Sequence, residues 1–494
     1  MRRSVAAIWL TLSLLLFTAY AGAEAPIVVN PESAPGTAAE TAALVDAVVK
    51  EAMEDPAIIS RIADEVTAVT GTVPSESYSD MELTFFTLSH GGKELRFLQE
   101  TLGEADESGR YPLYITLHGG GEAPEESNND LWLDMFSYYR DTVDSGIYVA
   151  VRGVSDTWDL HFREETYPLL DALITYMTVT EHADPNRVYL LGFSAGGDGV
   201  YQLAPRLADR FAAVNMSSGH PNGVSLVNVA NCPICLQAGI RDYYSESAKR
   251  SVRCAEFEKT LKDYRDQYGF GYEHQVWIHV PEGHNYDDYA DTSSLVLADP
   301  EAFAEREEAE DMLTAMLQVT QEKLETNDIG SLSYWYIGED KAFDDAITQL
   351  VSGGFRLELT EANTNAVRWV SQYVRNPAPP EVVWDLGTRA ASREITSWYW
   401  LEAEPSANAG IIRASYDSVS NTYTIAPDKA GNGDFAILFL AGMVDTGRPV
   451  TVITPEGEYT LQVNPSEALL AESFLERMDP DMVCIGKIWY SELK

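Results

Sequence analysis

From Tyr111 onward the chain alternates short apolar runs with helix-length stretches, and this alternation restricts the fold more than any other feature of the sequence. The runs Leu113–Leu117, Ile147–Val151, Arg187–Leu191, Ala212–Met216, Ile234–Ala238 and Gln275–Val280 are strand-sized and rich in Leu, Ile and Val. Helix-like segments at Tyr167–Thr180, Gly197–Asp209 and Ser247–Gln267 separate them. The pattern predicts an α/β fold, a mostly parallel doubly wound sheet covered by helices on both faces. Chemistry in such a sheet belongs at the carboxyl ends of the strands.

Three strand ends carry reactive residues. Arg187–Leu191 runs into Gly192-Phe193-Ser194-Ala195-Gly196-Gly197 and then a helical pattern. A serine between such glycines, on a strand-turn-helix, is held above the sheet on a strained turn where backbones pass closely. Leu113–Leu117 ends in His118-Gly119-Gly120-Gly121, which suits amides that stabilise an oxyanion; Ala195 and either Gly119 or Gly120 are the expected donors. Ile234–Ala238 leads to Asp242, and Gln275–Val280 leads to His284. The chain order Ser, Asp, His makes Ser194 the candidate nucleophile, His284 its base and Asp242 the acid that orients the imidazole. Asp287 and Asp288 are rival acids by proximity. His279 lies inside a strand and reads as core; His90, His182 and His274 have no motif around them. His220, in the turn after the next strand, and Trp158, in the loop after Ile147–Val151, are candidates to line a substrate pocket, although a structural turn accounts for His220, and packing under the loop for Trp158, equally well.

The segments Asp156–Leu160, Asp184–Gly199 and Ser218–Asn222 resemble bacterial secreted α/β-hydrolases grouped with polyhydroxyalkanoate depolymerase-like and feruloyl-type esterases and with predicted peptidases of the prolyl-oligopeptidase clan. The resemblance covers roughly Tyr111–Tyr286 and resumes at Arg368-Trp369-Val370 and Arg375-Asn376-Pro377. It implies an α/β-hydrolase fold and hydrolysis of a small-molecule or polymer-borne ester through an acyl-enzyme, with no metal or cofactor. A peptidase of the same clan, or a binding protein that keeps the fold as a scaffold, are the alternatives. One departure concerns the stretch at about Tyr289–Asn365, which separates His284 from the resumed resemblance and reads as an acidic, partly helical insertion. Its charged run and the apolar face of Leu313, Met316, Leu317 and Val319 suit a wall or lid of the cleft.

The remaining expectations concern organisation. Arg2 and Arg3, an apolar stretch from Val5 to Tyr20 and Ala21-Gly22-Ala23 read as a cleavable export signal over residues 1–23, which implies a secreted or periplasmic protein. Residues 24–75 read as a helical extension, with helices at Ala38–Glu54 and Ala57–Thr70, and residues 76–288 as the catalytic domain, opened by a hairpin across Gly91-Gly92. After the insertion at 289–365, residues 366–494 contain the linker Pro377-Ala378-Pro379-Pro380 and short runs that suggest a small β-sandwich, where Trp398 and Trp400 read as core. With 77 acidic against 34 basic residues the chain repels phosphate backbones and anionic membranes, so neither nucleic acid nor membrane is an expected partner. Four cysteines are too few to staple the chain; Cys232 and Cys235 have neither two further zinc ligands nor a redox context, and a disulfide from either to Cys254 stays open.

Overall fold

The computed structural model describes residues 26–240, 242, 250–280, 282–301, 359–389, 395–427 and 433–493. Strand β1 (Ile27–Val29) comes first, followed by α1 (Ala38–Glu54) and α2 (Pro56–Ala63). Thr37 and Glu40 form a capping box on α1, and Asp55 with Pro56 opens α2. Helix α2 stops short of the expected Thr70 because Val66–Gly71 is a strand, β2, paired antiparallel with β3 (Leu83–His90). Its β-branched Val-Thr-Ala-Val-Thr run favours the pleated edge that β3 offers over a longer helix. Gly91 and Gly92, both at positive φ, turn β3 into β4 (Lys93–Leu102).

Alternating strands and helices then build the middle of the molecule. In order they are β5 (Tyr111–Leu117), α3 (Glu125–Tyr138), β6 (Gly146–Val151), α4 (Thr166–Thr180), β7 (Ala183–Phe193), α5 (Ala195–Leu203), β8 (Ala213–Ser217), β9 (Ile234–Gly239), α6 (Arg250–Tyr268) and β10 (His274–His279). β11 (Ser293–Leu297) and β12 (Leu359–Asn363) follow; they flank residues 302–358, so the Leu313–Val319 face lies outside the described residues. The sheet order is β12-β11-β10-β9-β8-β7-β5-β6-β4-β3-β2. Pairing is parallel from β10 across to β6 and antiparallel beyond it on both sides.

Both faces of this sheet are covered, as the unbroken apolar runs require. Leu113, Ile115 and Leu117 of β5 join one core with α4, α5 and α6, while Tyr114 points the other way into a second core with Trp132 and Met135 of α3. Short helix α7 (Ala366–Val370) packs into that second core through Val367 and Trp369.

The C-terminal part contains two sheets. Strands β13 (Glu381–Asp385), β16 (Ile411–Asp417), β17 (Thr422–Pro427), β19 (Val450–Thr454) and β20 (Gly457–Val463) form one, and β1 from the chain start completes it beside β20. The other sheet holds β14 (Ser397–Trp398), β15 (Leu401–Ala403), β18 (Phe435–Leu440) and β21 (Cys484–Trp489). Trp398 and Trp400 are buried between them, with Trp384 stacked on Trp398 at 6.1 Å. Helix α8 (Glu467–Arg477) packs on β21 and on α1.

A buried set of ions joins this part to the central sheet. Arg375 and Asp479 pair at 2.5 Å with neither side chain exposed, and Arg477 pairs with Asp209 at 2.5 Å. Arg375 also donates to the Asp209 carbonyl at 2.7 Å and to Asn186 at 2.7 Å. All four cysteines are buried free thiols, so no disulfide reaches Cys254. Among the described residues no helix is long and apolar enough to cross a membrane.

Candidate active site

Ser194 stands between the end of β7 and the start of α5 with φ 57° and ψ −119°. A non-glycine residue there costs about 1–3 kcal/mol, so the surroundings must impose it. The Ser194 amide donates to the Ser217 carbonyl at 2.9 Å, and its carbonyl accepts from the Asp198 amide at 3.0 Å. The flanking glycines explain why the chain can turn so tightly. A Cβ on Gly196 would collide with the Leu117 carbonyl, and one on Gly197 would meet the Ser217 carbonyl at 2.5 Å. Helix α5 can therefore start directly against β5 and β8.

The hydroxyl of Ser194 lies 2.9 Å from His284 Nε2, and His284 Nδ1 lies 2.9 Å from Asp242 Oδ2. A carboxylate can only accept, so Nδ1 carries the proton and Nε2 is left to accept from the serine. His284 and Asp242 are 5% and 2% exposed, so water competes little for these bonds. Burial alone would raise the Asp242 carboxyl, but the His284 ring, Arg250 and hydrogen bonds outweigh it and hold it below its ordinary value. Arg250 approaches the other oxygen, Oδ1, at 3.5 Å. Asp287 and Asp288 are engaged elsewhere. Asp287 accepts from the Ala290 amide at 2.8 Å, and Asp288 accepts from Tyr138 and Tyr139 at 3.0 and 2.9 Å.

Gly119 faces Ser194: a Cβ built on it would lie 3.3 Å from Ser194 Cβ. The Gly121 amide is already donated to Asn128 Oδ1 at 2.9 Å, which leaves the Gly119 and Gly120 amides as the candidates on this loop. Ala195 is the first residue of α5, where helix geometry leaves the amide without an intrahelical acceptor. Gly120 has φ +105°, and a Cβ there would run into Asn128. Asn128 in turn donates to Asp156 at 2.9 Å, and buried Arg152 bonds both Asp156 and Asn129.

Beneath this loop sit two histidines whose role the sequence pattern did not reveal. His118 Nε2 accepts from the Gly153 amide at 3.0 Å, so its Nδ1 donates to the Gly119 carbonyl at 2.5 Å. His161 Nε2 donates to the His118 carbonyl at 2.8 Å. Burial pushes both imidazoles down, His161 to about 3, so they stay neutral and brace the loop without adding charge. The paired Asn128-Asn129 in an otherwise amphipathic stretch was the available hint of a polar network there.

The remaining candidates take other places. Trp158 is 52% exposed, packs edge-on against Phe162 at 5.3 Å and runs beside Gly121. His220 is fixed through its amide to Asp198 at 2.6 Å, with its ring turned to Asn222 at 2.9 Å, and no hydrogen bond brings it to Ser194. His279 is core and bonds Gln237 at 2.9 Å. His90 and His274 face Glu65 and Glu258.

The strand order, with β5 lodged between β6 and β7 and a strained serine at the end of β7, defines an α/β-hydrolase fold. The chain resembles feruloyl-type and acetylxylan-type esterases within that class. It is 29% identical over 162 residues, 32% of this chain and 22% of the relative, to a bifunctional acetylxylan esterase/xylanase of Neocallimastix patriciarum. It is 33% identical over 118 residues, 23% of this chain and 42% of the relative, to a "probable feruloyl esterase C" of Aspergillus terreus. The chain thus spans less than half the length of either curated relative. A solved poly(3-hydroxybutyrate) depolymerase from Bordetella parapertussis overlaps 47% of this chain and 90% of its own, at 18% identity and a TM-score of 0.34, too distant to bear on function. No protein-family model matches.

Proposed function

We propose that this protein is an exported serine hydrolase that cleaves carboxylic esters, with Ser194 as nucleophile, His284 as general base and acid, and Asp242 as the orienting carboxylate. The observation that carries the reading is the unbroken run of 2.9 Å contacts from Ser194 Oγ through the imidazole to Asp242. In the forward step His284 Nε2 takes the hydroxyl proton as Oγ attacks the ester carbonyl. The amides of Ala195 and of Gly119 or Gly120 receive the oxyanion, a contribution of several kcal/mol in a site of this kind. His284 then returns the proton to the departing alcohol, and water repeats the sequence to release the acid. The relatives named as esterases support an ester over an amide.

A fluorophosphonate probe is expected to label the wild-type protein and to leave Ser194→Ala unlabelled. Equal labelling of the two overturns the assignment. A panel of acetyl, long-chain acyl and feruloyl esters beside aminoacyl amides then ranks the substrate class, and faster turnover of the amides would replace the esterase reading with a peptidase one.

A further inference from the structure

We propose that Asp288 is a positioning residue for the Ser194–His284 pair, its buried carboxylate tying the histidine loop to the strand end behind the nucleophile and to the ring that backs the imidazole. The inference rests on the roles of Ser194 and His284 given above and adds a residue to them. Asp288 lies four residues beyond His284, is fully buried, and makes no ion pair among the described residues. Three hydroxyls converge on it instead. Tyr138 donates to Oδ1 at 3.0 Å, Tyr139 donates to Oδ2 at 2.9 Å, and Ser217 also donates to Oδ2. A carboxylate buried without a cation is costly, and an apolar side chain would fill the same space without that cost.

Each contact leads back to the reacting pair. Ser217 is the residue whose carbonyl receives the Ser194 amide, and its neighbour Ser218 donates to the His284 carbonyl at 2.7 Å. The Tyr138 ring lies 5.5 Å from the ring of Phe193, which lies 5.3 Å from the His284 imidazole. Behind Asp288, its carbonyl accepts from the Ala366 amide of α7 at 2.8 Å. The loop is thereby pinned at His284 and again at Asp288, while Tyr138 presses Phe193 against the ring that must meet Ser194.

The titratable groups that face Asp288 are Tyr138 and Tyr139 at the end of α3, Tyr286 in its own loop and Cys235 of β9, all pushed up by burial and uncharged near neutrality. His279, stacked on Tyr286 at 4.0 Å, is held down to about 3 by burial and is neutral as well. Burial pushes Asp288 itself up to about 6, against the bonds from Ser217, Tyr139 and Tyr138. Of these groups, Asp288 is the one that changes charge near pH 6.

The test uses the full chain as wild type, Asp288→Asn, Tyr138→Phe and Ser194→Ala. The readouts are the second-order rate of fluorophosphonate labelling from about pH 5 to 9 and a thermal melt of each variant. Asp288→Asn is expected to melt cooperatively yet label about 10- to 100-fold more slowly at pH 8, and to lack the component of the wild-type acid limb centred near pH 6. Tyr138→Phe, which keeps the ring and removes one tether, is expected to label several-fold more slowly. A folded Asp288→Asn with the wild-type rate and pH profile overturns the proposal. If that variant fails to fold, a wild-type rate in Tyr138→Phe overturns it. An unlabelled Ser194→Ala beside a normal Asp288→Asn sinks this inference alone, whereas a labelled Ser194→Ala sinks the reading of the site on which it rests.

Discussion

Asp242→Asn is expected to lower kcat by about four orders of magnitude while the protein stays folded. The carboxylate receives Nδ1–H of His284 at 2.9 Å and so leaves Nε2 free to take the serine proton. An asparagine of the same shape offers an N–H in one of its two orientations, and the imidazole can then place its proton on Nε2, where it cannot act as a base. The packing hardly changes, which is why the loss should appear in turnover and not in the melting curve. Asp287→Asn, whose carboxylate serves the Ala290 amide and Thr292, should remain within a few-fold of wild type. Steady-state kinetics on a p-nitrophenyl acetate substrate decides the matter. Near-normal turnover in Asp242→Asn would remove it from the site.

The largest effect on stability is expected at Arg375. Its guanidinium is buried with Asp479, and the Asp479 carboxyl, which burial would raise, is held below its ordinary value by Arg375 and Arg210. Removing one partner of such a pair strands the other charge, a loss of about 3–5 kcal/mol. Arg375→Met should therefore lower the urea midpoint sharply. Combining it with Asp479→Leu should recover much of the loss, because the stranded charge goes too. A single variant that unfolds at the wild-type urea concentration would show that the ions joining the two parts contribute little.

The central sheet and the placing of the candidate residues at its strand ends were legible because both depend on local pattern. Short apolar runs, a glycine-flanked serine and a histidine just past a strand appear in the sequence in the order in which the strands follow one another. Strand β7 nonetheless begins at Ala183, ahead of the expected Arg187, since Asp184-Pro185-Asn186 interrupts the apolar run without ending the extended backbone. What stayed hidden depends on distant partners. Ile27–Val29 sits in a Pro- and Ala-rich lead and becomes a strand only because β20 is there to receive it. Val66–Gly71 carries as much helical as strand pattern until β3 lies beside it. Likewise Asp288 reads in sequence as a rival acid near His284, and nothing in its neighbourhood of sequence points to tyrosines at 138 and 139. The bracing of the Gly119 loop through Gly153 and His161, both of which bond His118, is equally non-local.

The pairing of β1 with β20 bears on the order in which the molecule can assemble. Ile27, Val28 and Val29 match Leu461, Gln462 and Val463, and Asn30 donates to the carbonyls of Asn464 and Ile485 at 2.7 and 2.9 Å. Loop closure over such a separation is slow, and contacts of this range form late. The opening segment must therefore wait, unpaired, until β20 has been synthesised. The six-stranded sheet can close only once β20 has been made, and a ribosome-bound chain ending before Leu461 would carry the first strand as an exposed edge available to chaperones.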